Sequence, residues 1–455
     1  MKEGAVKDLE NIVGKDWLVT AIGQMESYLT DQTSDLIKPK PAGNVILVKP
    51  SNAQEVAEIL KLANQNGISV FPRGGGTGLV GAAIPTREGV VLSLERMDRI
   101  EIDKGNMMVV AEAGVTLEKL MKAAEDAGFS FPPHPGDEGA QVGGLIVCNA
   151  GGSRALKHGV MRNFVKGLEV VLPSGEIITL GGKLLKSNMG YSLMHLIIGS
   201  EGTLGVITKA TIRLAPKFES TLTLVIPYNS RHQALNTVPE ILWQGITPLA
   251  LEYVEKELVE KSAALLGEEW PAEGKVFLII ILEGSEDEIY SEAERISKIC
   301  QEAGAAEPLI AERRDEQDSI LKIRSHIYLA LKPDTIDILD TTVPPSNIGK
   351  LADAIDQIAA KHGAYIPLYG HAGDGNLHSH VMKRDLANYE KMKKEIYSRT
   401  TELGGVITGE HGIGRLRIPE LEAYLSPKEI LLMKGMKRLF DPNNILNPSA
   451  VLKIE

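Results

Sequence analysis

The chain has 455 residues, of which 43% are hydrophobic and 24% charged, and this composition is that of an ordinary globular protein with two or three domains. Lysine and arginine number 49 against 60 aspartate and glutamate, so the formal net charge of −11 gives no indication of a nucleic-acid partner. The two cysteines, Cys148 and Cys300, exclude a disulfide framework and, within this chain, an iron–sulfur cluster with its usual four thiolates.

The first half of the chain alternates predicted strands and helices. A strand is expected at residues 44–50, followed by a helix that begins at a capping box formed by Ser51 and Gln54. Another helix is expected at 116–127. Residues 130–160 are rich in Gly, Pro and small side chains, and we expect them to be irregular. The remaining strands are predicted at 68–72, 90–94, 108–113 and 205–214.

A second series of strands and helices begins near residue 218. Two successive strand–helix–strand halves favour an antiparallel, ferredoxin-like sheet that helices cover on one face. The last segment, 426–455, is expected to be an amphipathic helix followed by a turn-rich tail that packs on the first domain. The strands of this series are predicted at 221–226, 276–282 and 335–340, and its helices at 230–244, 286–303, 346–362 and 385–403.

A glycine-rich loop, residues 73–81, follows the predicted strand 68–72. Its second half matches G-x-G-x-x-G, and Glu95 stands about where a ribose-binding acid would be sought. A Rossmann site needs a helix that starts at the loop, and Pro85 and Gly89 leave no room for one. Successive backbone N–H groups can still form a nest for a pyrophosphate. The loop therefore predicts a dinucleotide site that is not of the Rossmann type, with a ligand-free glycine turn as the alternative.

A candidate metal site is centred on the segment 371–378, His-Ala-Gly-Asp-Gly-Asn-Leu-His. If Asp374-Gly375 is the turn of a β-hairpin, His371 faces His378 with Cβ atoms roughly 5 Å apart. Two imidazoles at that separation can share one ion, and Glu410 offers a third ligand, which leaves a position open for substrate. The alternative is that both histidines are simply polar residues at the end of a strand.

Several segments together resemble a known family. The segments 73–81, 143–152 and 198–205 are similar to the FAD-binding domain of the vanillyl-alcohol oxidase and p-cresol methylhydroxylase superfamily. The segment 371–378, Glu410-His411 and the tail Phe-Asp-Pro-Asn-Asn-Ile-Leu-Asn-Pro are similar to its branch of D-lactate, glycolate and D-2-hydroxyglutarate dehydrogenases.

The resemblance implies an α+β protein in which a two-part FAD-binding domain of the p-cresol methylhydroxylase type carries a ferredoxin-like α/β cap domain. The expected limits are 1–217 for the FAD-binding domain, 218–412 for the cap with the substrate and metal sites, and 413–455 for a C-terminal segment that packs on the FAD-binding domain.

The resemblance also implies roles for individual residues. His371, His378 and Glu410 fall on the divalent-metal ligands of the family, His411 on its catalytic base and Arg324 on its substrate-carboxylate arginine. FAD is expected to be bound non-covalently, because Thr77 stands where relatives with covalent flavin carry histidine. The implied FAD-binding residues are Arg73, Gly74, Gly75, Gly76, Thr77, Gly78, Gly81, Pro135, Gly143, Gly144, Asn149, Gly151, Gly152 and Ile207.

The implied reaction is oxidation of a 2-hydroxy acid to the 2-oxo acid by metal-assisted hydride transfer to flavin N5. Fe²⁺, Zn²⁺ and Mn²⁺ all suit the ligand set. Ile338 stands where members with dicarboxylate substrates carry lysine, and His380 stands where asparagine is common. We therefore expect a small monocarboxylate, D-lactate or glycolate.

The resemblance also bears on the electron acceptor. A soluble protein acceptor is expected, with an electron-transfer flavoprotein favoured because some members of the family use one. No run of 18 apolar residues and no signal-peptide core occur, so we expect a cytoplasmic protein without a transmembrane segment. A non-redox FAD enzyme of the same fold and a flavin relay or docking subunit of a larger complex remain the alternatives.

Overall fold

The structure is a computed structural model that describes residues 3–454. The chain divides into two compact units. The first contains the described parts of Met1–Ala150, Val160–Lys217 and Glu410–Glu455, and the second contains Gly151–Gly159 and Phe218–Gly409. The domain limits expected from the sequence stay a prediction.

One part of the first unit is a sheet in which three strands run parallel. The strands in spatial order are Leu18–Val19, Val45–Val48, Gly89–Ser93 and Ser69–Arg73, and the first of them pairs antiparallel. Every residue of Val45–Val48 and Gly89–Ser93 is buried, as expected for parallel strands that are covered on both faces. The helix Ala53–Asn66 contributes Ile59 and Leu60 to the core on one face.

The other part of the first unit is a five-stranded antiparallel sheet. Its strands in spatial order are Ile100–Asp103, Met108–Glu112, Val206–Arg213, Val165–Val171 and Ile177–Gly181. A short antiparallel pair joins Phe129–Ser130 to Ala215–Pro216. The helices of the first unit are Glu3–Val13, Ala53–Asn66, Leu117–Asp126, Val142–Cys148, Met161–Phe164, Leu193–Ile197, Ile418–Tyr424 and Pro427–Phe440.

The C-terminal tail contacts the first sheet through its backbone. Leu446 forms a parallel bridge with Val70, where the Val70 N–H donates to the Ile445 carbonyl at 2.8 Å. The buried ammonium of Lys437 donates to the carbonyls of Leu446 at 2.8 Å and Thr203 at 2.9 Å. The tail is therefore fixed at the edge strand Ser69–Arg73, from which the glycine loop (residues 73–81) begins.

The second unit contains two antiparallel sheets. The first has the order Ala250–Glu255, Val276–Gly284, Ser220–Tyr228 and Leu309–Ala311. The second has the order Thr335–Thr342, Asn376–Met382 and Leu368–Tyr369. An antiparallel bridge between Tyr253 and Gly370 connects an edge of one sheet to an edge of the other. The helices of this unit are Ala155–His158, Arg231–Trp243, Lys256–Leu266, Glu286–Glu302, Arg314–Ser325, Ile327–Leu331, Ile348–His362 and Tyr389–Glu402.

Two local predictions, the capping box at Ser51 and the irregular segment 130–160, are wrong. The cap of the helix Ala53–Asn66 is Asn52, whose side chain accepts from the Glu55 N–H at 2.9 Å, so the predicted capping box lies one residue too early. The segment predicted to be irregular contains the helix Val142–Cys148, because Val142 and Ile146 are fully buried against the antiparallel sheet. Within residues 3–454, no helix is long and apolar enough to span a bilayer.

Candidate active site

His371 and His378 lie close together in the second unit, although the predicted hairpin does not bring them there. In the structure His378 pairs with Tyr369, and the His371 carbonyl accepts from the Asn376 N–H at 3.1 Å. The register therefore differs by two residues from the predicted one, because residues 372–374 form a 3-10 turn where a two-residue turn was expected. The imidazole centroids are nevertheless 5.4 Å apart, and one ring nitrogen of each residue lies within 4.8 Å of the other.

Glu252 lies directly opposite His371. The bridge between Tyr253 and Gly370 is antiparallel, so the next pair outward is Glu252 and His371. One Glu252 carboxylate oxygen is 2.7 Å from Nδ1 of His371, and the other accepts from Nε of Arg324 at 2.7 Å. Burial raises the pKa of Glu252, but the charges and hydrogen bonds of Arg324 and His371 outweigh it and leave that pKa below its ordinary value.

Asp340 has the corresponding place beside His378. The two residues are directly paired across the strands Thr335–Thr342 and Asn376–Met382, and the carboxylate lies 3.5 Å from Nδ1 of His378. The Asp340 carboxylate also accepts from the Asn376 amide at 2.7 Å, the Thr408 hydroxyl at 2.9 Å and the Gly409 N–H at 2.9 Å. It thereby fixes the backbone at the end of the second unit, one residue before Glu410.

Glu410 and His411 belong to the first unit, where the chain re-enters it. The two side chains approach each other to 4.0 Å. Two residues further on, the N–H groups of Ile413 and Gly414 each donate to the buried Glu201 carboxylate at 2.8 Å. The segment that carries both predicted functional residues thus has a fixed attachment within the first unit.

One face of the sheet that carries His378 is lined by large side chains. Ile338 pairs with His380 and Asp340 pairs with His378, so all four side chains point to the same face of the sheet. His380 is fully buried, and its Nδ1 lies 3.0 Å from the Thr335 hydroxyl oxygen. Its ring centroid lies 5.3 Å from that of Tyr369. Ile338, His380 and Tyr369 therefore form one wall beside the histidine pair.

Arg324 lies next to both Tyr369 and His371. Its guanidinium lies 5.0 Å from the centre of the Tyr369 ring and 3.5 Å from Nδ1 of His371. It is also paired with Glu252 through Nη2. A guanidinium has five N–H donors, so the edge that contacts Glu252 leaves others for a second acceptor.

The glycine loop (residues 73–81) packs tightly against the segment 139–144 of the first unit. A Cβ on Gly75 would lie 2.4 Å from the Gly139 carbonyl, and one on Gly76 would lie 2.1 Å from the Arg73 guanidinium. A Cβ on Gly74 would be 3.6 Å from Cα of Gly144, whereas nothing lies within 4 Å of the Cβ position of Gly144 itself. The loop therefore needs glycine at positions 75 and 76, and the backbone at Gly144 is open to a ligand.

The other predicted FAD-binding residues are distributed over both units. The Arg73 guanidinium donates to the Thr30 carbonyl at 2.7 Å and the Ser27 carbonyl at 2.6 Å, so its contribution to a cofactor would come from the backbone. Asn149 caps the helix Val142–Cys148 with a φ of 50°, and Ile207 is buried in Val206–Arg213. Pro135 and Gly143 lie in the first unit, whereas Gly151 and Gly152 lie in the second.

Glu95, which stands where a ribose-binding acid would be sought, is engaged elsewhere. Its carboxylate pairs with the Lys49 ammonium at 2.7 Å and accepts from the Tyr28 hydroxyl at 2.8 Å. This result agrees with the argument that the loop is not a Rossmann site.

Sequence reasoning missed Glu252 and the multiple contacts of Asp340. The signal for Glu252 was an acid within the buried strand Ala-Leu-Glu-Tyr-Val-Glu, because a buried carboxylate requires a partner. Asp340 ends the predicted strand 335–340 and was not among the predicted site residues.

Two family models match the chain. The model for FAD linked oxidases, C-terminal domain, matches residues 217–451, and the model for an FAD binding domain matches residues 45–181.

Curated proteins of similar sequence extend over nearly the whole chain. A D-lactate dehydrogenase of Archaeoglobus fulgidus is 46% identical over 439 residues, covering 96% of this chain and 98% of that protein. A D-lactate dehydrogenase of Anaerostipes hadrus is 37% identical and covers 94% of this chain and 92% of its own. The glycolate oxidase subunit GlcD of Bacillus subtilis is 39% identical, with 89% and 88% covered.

Solved structures confirm the predicted fold class. The p-cresol methylhydroxylase structure with substrate bound has a TM-score of 0.81 and 16% identity, and covers 100% of this chain and 98% of its own. A structure of alkyldihydroxyacetonephosphate synthase has a TM-score of 0.76 and 20% identity, with 98% and 86% covered. At these identities the likeness shows the fold alone.

Proposed function

The chain belongs to the FAD-linked oxidases, and on that premise we propose that it oxidises a small D-2-hydroxy acid to the 2-oxo acid with the help of a divalent metal ion. The observation that carries the proposal is the pair His371 and His378, whose ring nitrogens lie within 4.8 Å and which are each next to a buried carboxylate. A relay or docking subunit without chemistry of its own would need no such pair.

The donor set suits a divalent ion. A histidine that binds a metal through one nitrogen usually donates its other N–H to a carboxylate or carbonyl, and the contact between Nδ1 of His371 and Glu252 has that form. This arrangement leaves Nε2 of His371 as its ligand atom. We propose Glu410 as the third ligand, since it directly follows Gly409, whose N–H is held by Asp340.

The first unit suits non-covalent FAD. We propose that the backbone of the glycine loop (residues 73–81) holds the pyrophosphate, because successive N–H groups there can form a nest for an anion and a side chain at position 75 or 76 is sterically excluded. Pro135, Gly143, Gly144, Asn149, Gly151, Gly152 and Ile207 would line the remainder of the cofactor. The open backbone at Gly144 supports this assignment.

Each proposed catalytic residue has one task. When bound, FAD supplies the hydride acceptor and the metal ion supplies a Lewis acid that lowers the pKa of the substrate hydroxyl. The guanidinium of Arg324 would bind the substrate carboxylate with the donors that Glu252 leaves available. The imidazole of His411 would take the hydroxyl proton, because imidazole titrates near neutral pH. C2 loses its hydride in the same reaction, so the carbinol becomes a carbonyl.

The wall beside the histidine pair supports a short substrate. Ile338 and His380 lie on the same sheet face as His378, and Ile338 offers no charge to a second carboxylate. We therefore propose D-lactate or glycolate as the substrate class and place 2-hydroxyglutarate outside it.

The test is anaerobic reduction of the purified holoprotein by a panel of 2-hydroxy acids, followed at the flavin absorption band. The proposal predicts that D-lactate or glycolate reduces the flavin faster than D-2-hydroxyglutarate and that L-lactate reacts poorly. Absence of reduction by every hydroxy acid would favour a non-redox enzyme or a relay subunit. Faster reduction by D-2-hydroxyglutarate would refute the substrate assignment alone.

We further propose a soluble protein, such as an electron-transfer flavoprotein, as the electron acceptor. The glycine loop (residues 73–81) is not of the Rossmann type, and this argues against NAD as the acceptor. Steady-state turnover with oxygen, with NAD and with an added electron-transfer flavoprotein tests the assignment. Rapid turnover with NAD and no gain from the flavoprotein would refute it.

A further inference from the structure

We propose that Glu252 is a positioning residue that orients both His371 and Arg324, so that one buried carboxylate couples metal binding to substrate binding. This inference rests on the proposed function, because it assigns the orientation of the proposed metal ligand and of the proposed substrate-binding arginine to a third residue.

The contacts of Glu252 use both of its oxygens. Oε1 is 2.7 Å from Nδ1 of His371, and Oε2 accepts from Nε of Arg324 at 2.7 Å. The residue is 1% exposed, so water does not compete for either oxygen. A hydrogen bond to a charged group in such surroundings is among the stronger ones in proteins.

Backbone pairing determines the position of Glu252 relative to His371. Tyr253 and Gly370 exchange two hydrogen bonds, of 2.9 and 3.0 Å, and these join the strand Ala250–Glu255 to the segment that precedes His371. Glu252 and His371 are the next opposed pair, so their Cβ atoms are neighbours across the bridge. Arg324 comes from the helix Arg314–Ser325, outside this bridge, and its Nε donates to the same carboxylate at 2.7 Å.

Two functional consequences follow from the geometry. Acceptance by Oε1 keeps the His371 proton on Nδ1 and leaves Nε2 unprotonated, as a metal ligand must be. Acceptance by Oε2 holds one edge of the Arg324 guanidinium, so the substrate carboxylate can use only the remaining donors. Loss of Glu252 should therefore weaken the metal and the substrate together.

The experiment replaces Glu252 by glutamine, which keeps the shape and removes the negative charge. An amide has one acceptor oxygen, so it cannot accept from His371 and Arg324 through separate oxygens. The readout is the affinity of the metal-depleted, FAD-loaded protein for Zn²⁺, measured by competition with a chromophoric chelator. We expect the dissociation constant to rise about 10-fold to 100-fold, the range typical of lost outer-shell partners.

Glu255→Gln is the matched control. Glu255 lies three residues along the same strand, is also buried, and also pairs with an arginine, Arg231. Among residues 3–454, its partners include the hydroxyls of Tyr253 and Tyr365 and no proposed metal or substrate residue. Glu255→Gln should lower thermal stability and leave the affinity for Zn²⁺ within about twofold of the wild type.

The outcomes separate this inference from the proposed function. A wild-type protein that binds Zn²⁺ tightly, together with a Glu252→Gln protein that binds it equally well, overturns the inference alone. A wild-type protein that binds no Zn²⁺, Mn²⁺ or Fe²⁺ overturns the proposed function and the inference with it. If the glutamine variant does not fold, Glu252→Asp replaces it, because aspartate keeps the charge and is shorter by one methylene. A Glu252→Asp protein that binds Zn²⁺ with wild-type affinity overturns the inference as well.

A second readout concerns Arg324. The KM for substrate should rise in Glu252→Gln at saturating metal, because the guanidinium loses the partner that orients it. A kcat reduced with KM unchanged would contradict the part of the inference that concerns Arg324.

Discussion

Gly409→Ala tests how the site is assembled without touching any proposed ligand. A Cβ at this position would lie 2.1 Å from the Thr342 hydroxyl and 2.6 Å from the Asn376 amide nitrogen, whereas ordinary contact begins at 3.4 Å. Ordinary contact therefore requires a movement of about 1.3 Å, shared between the backbone at residue 409 and the side chains of Thr342 and Asn376. That shift strains the bond of the Gly409 N–H to Asp340, now 2.9 Å long, and displaces the adjoining Glu410.

The size of the effect follows from two contributions. Overpacking in a well-packed region costs about 1–3 kcal/mol, and loss of a hydrogen bond to a charged acceptor costs about 1.5–3 kcal/mol. We expect a total of about 2.5–6 kcal/mol lost from the stability of the second unit, and an affinity for Zn²⁺ at least about 10-fold weaker. FAD content should be unchanged, because the glycine loop lies in the first unit.

The assay combines denaturant unfolding with the Zn²⁺ competition measurement. Tryptophan fluorescence suits the second unit, which holds Trp243 and Trp270 of the three tryptophans. Gly435→Ala is the control, since it lies within the helix Pro427–Phe440 with nothing within 4 Å of its Cβ position, and it should be neutral or stabilising by up to about 1 kcal/mol. A Gly409→Ala protein with wild-type stability and wild-type affinity for Zn²⁺ would refute the reasoning.

Three further predictions address separate parts of the account. His371→Ala and His378→Ala should each lose metal and turnover and retain yellow, FAD-loaded protein; a metal-free wild-type protein with full activity would contradict this. Ile338→Lys should raise the ratio of kcat/KM for D-2-hydroxyglutarate to that for D-lactate by about 10-fold or more, since a paired charge contributes about 1.5–3 kcal/mol, and an unchanged ratio would exclude Ile338 from the substrate wall. Burial raises the pKa of Glu95, but hydrogen bonds from Lys49 and Tyr28 outweigh it and leave the pKa below 4.5. The stabilisation is therefore present above pH 4.5 and is lost as the pH falls through the lowered value. Glu95→Gln should destabilise the protein at pH 7, and the loss in thermal unfolding scans should shrink as the pH is lowered below 4.5; a loss that does not change with pH would contradict this.

Periodicity and glycine positions predicted much of the fold. The helix Ala53–Asn66 ends at Gly67 with φ of 64°, as a C-terminal glycine indicates, and the helix predicted at 346–362 is found at Ile348–His362. The boundaries of short strands such as Leu368–Tyr369 were missed, because two residues carry no periodic pattern.

The sequence predicted that His371 and His378 belong to one site, but it did not predict the geometry that brings them together. His371 and His378 were identified from their spacing around Asp374-Gly375, yet the turn has a different register, and their proximity comes from the strand pairing of His378 with Tyr369 and the turn at 372–374. Glu252 lies 119 residues before His371, and only the bridge between Tyr253 and Gly370 brings them together. A contact at that separation depends on the packing of two sheets, which local sequence does not encode.

The measurement that most directly tests the central claim is the rate of anaerobic flavin reduction by D-lactate or glycolate before and after removal of the metal. Rapid mixing should show fast bleaching of the native holoprotein, a rate at least about 100-fold lower after chelation, and recovery when Zn²⁺, Mn²⁺ or Fe²⁺ is restored, because without the ion the substrate hydroxyl keeps its high pKa. Equally fast bleaching of the native and the metal-depleted proteins would contradict the account.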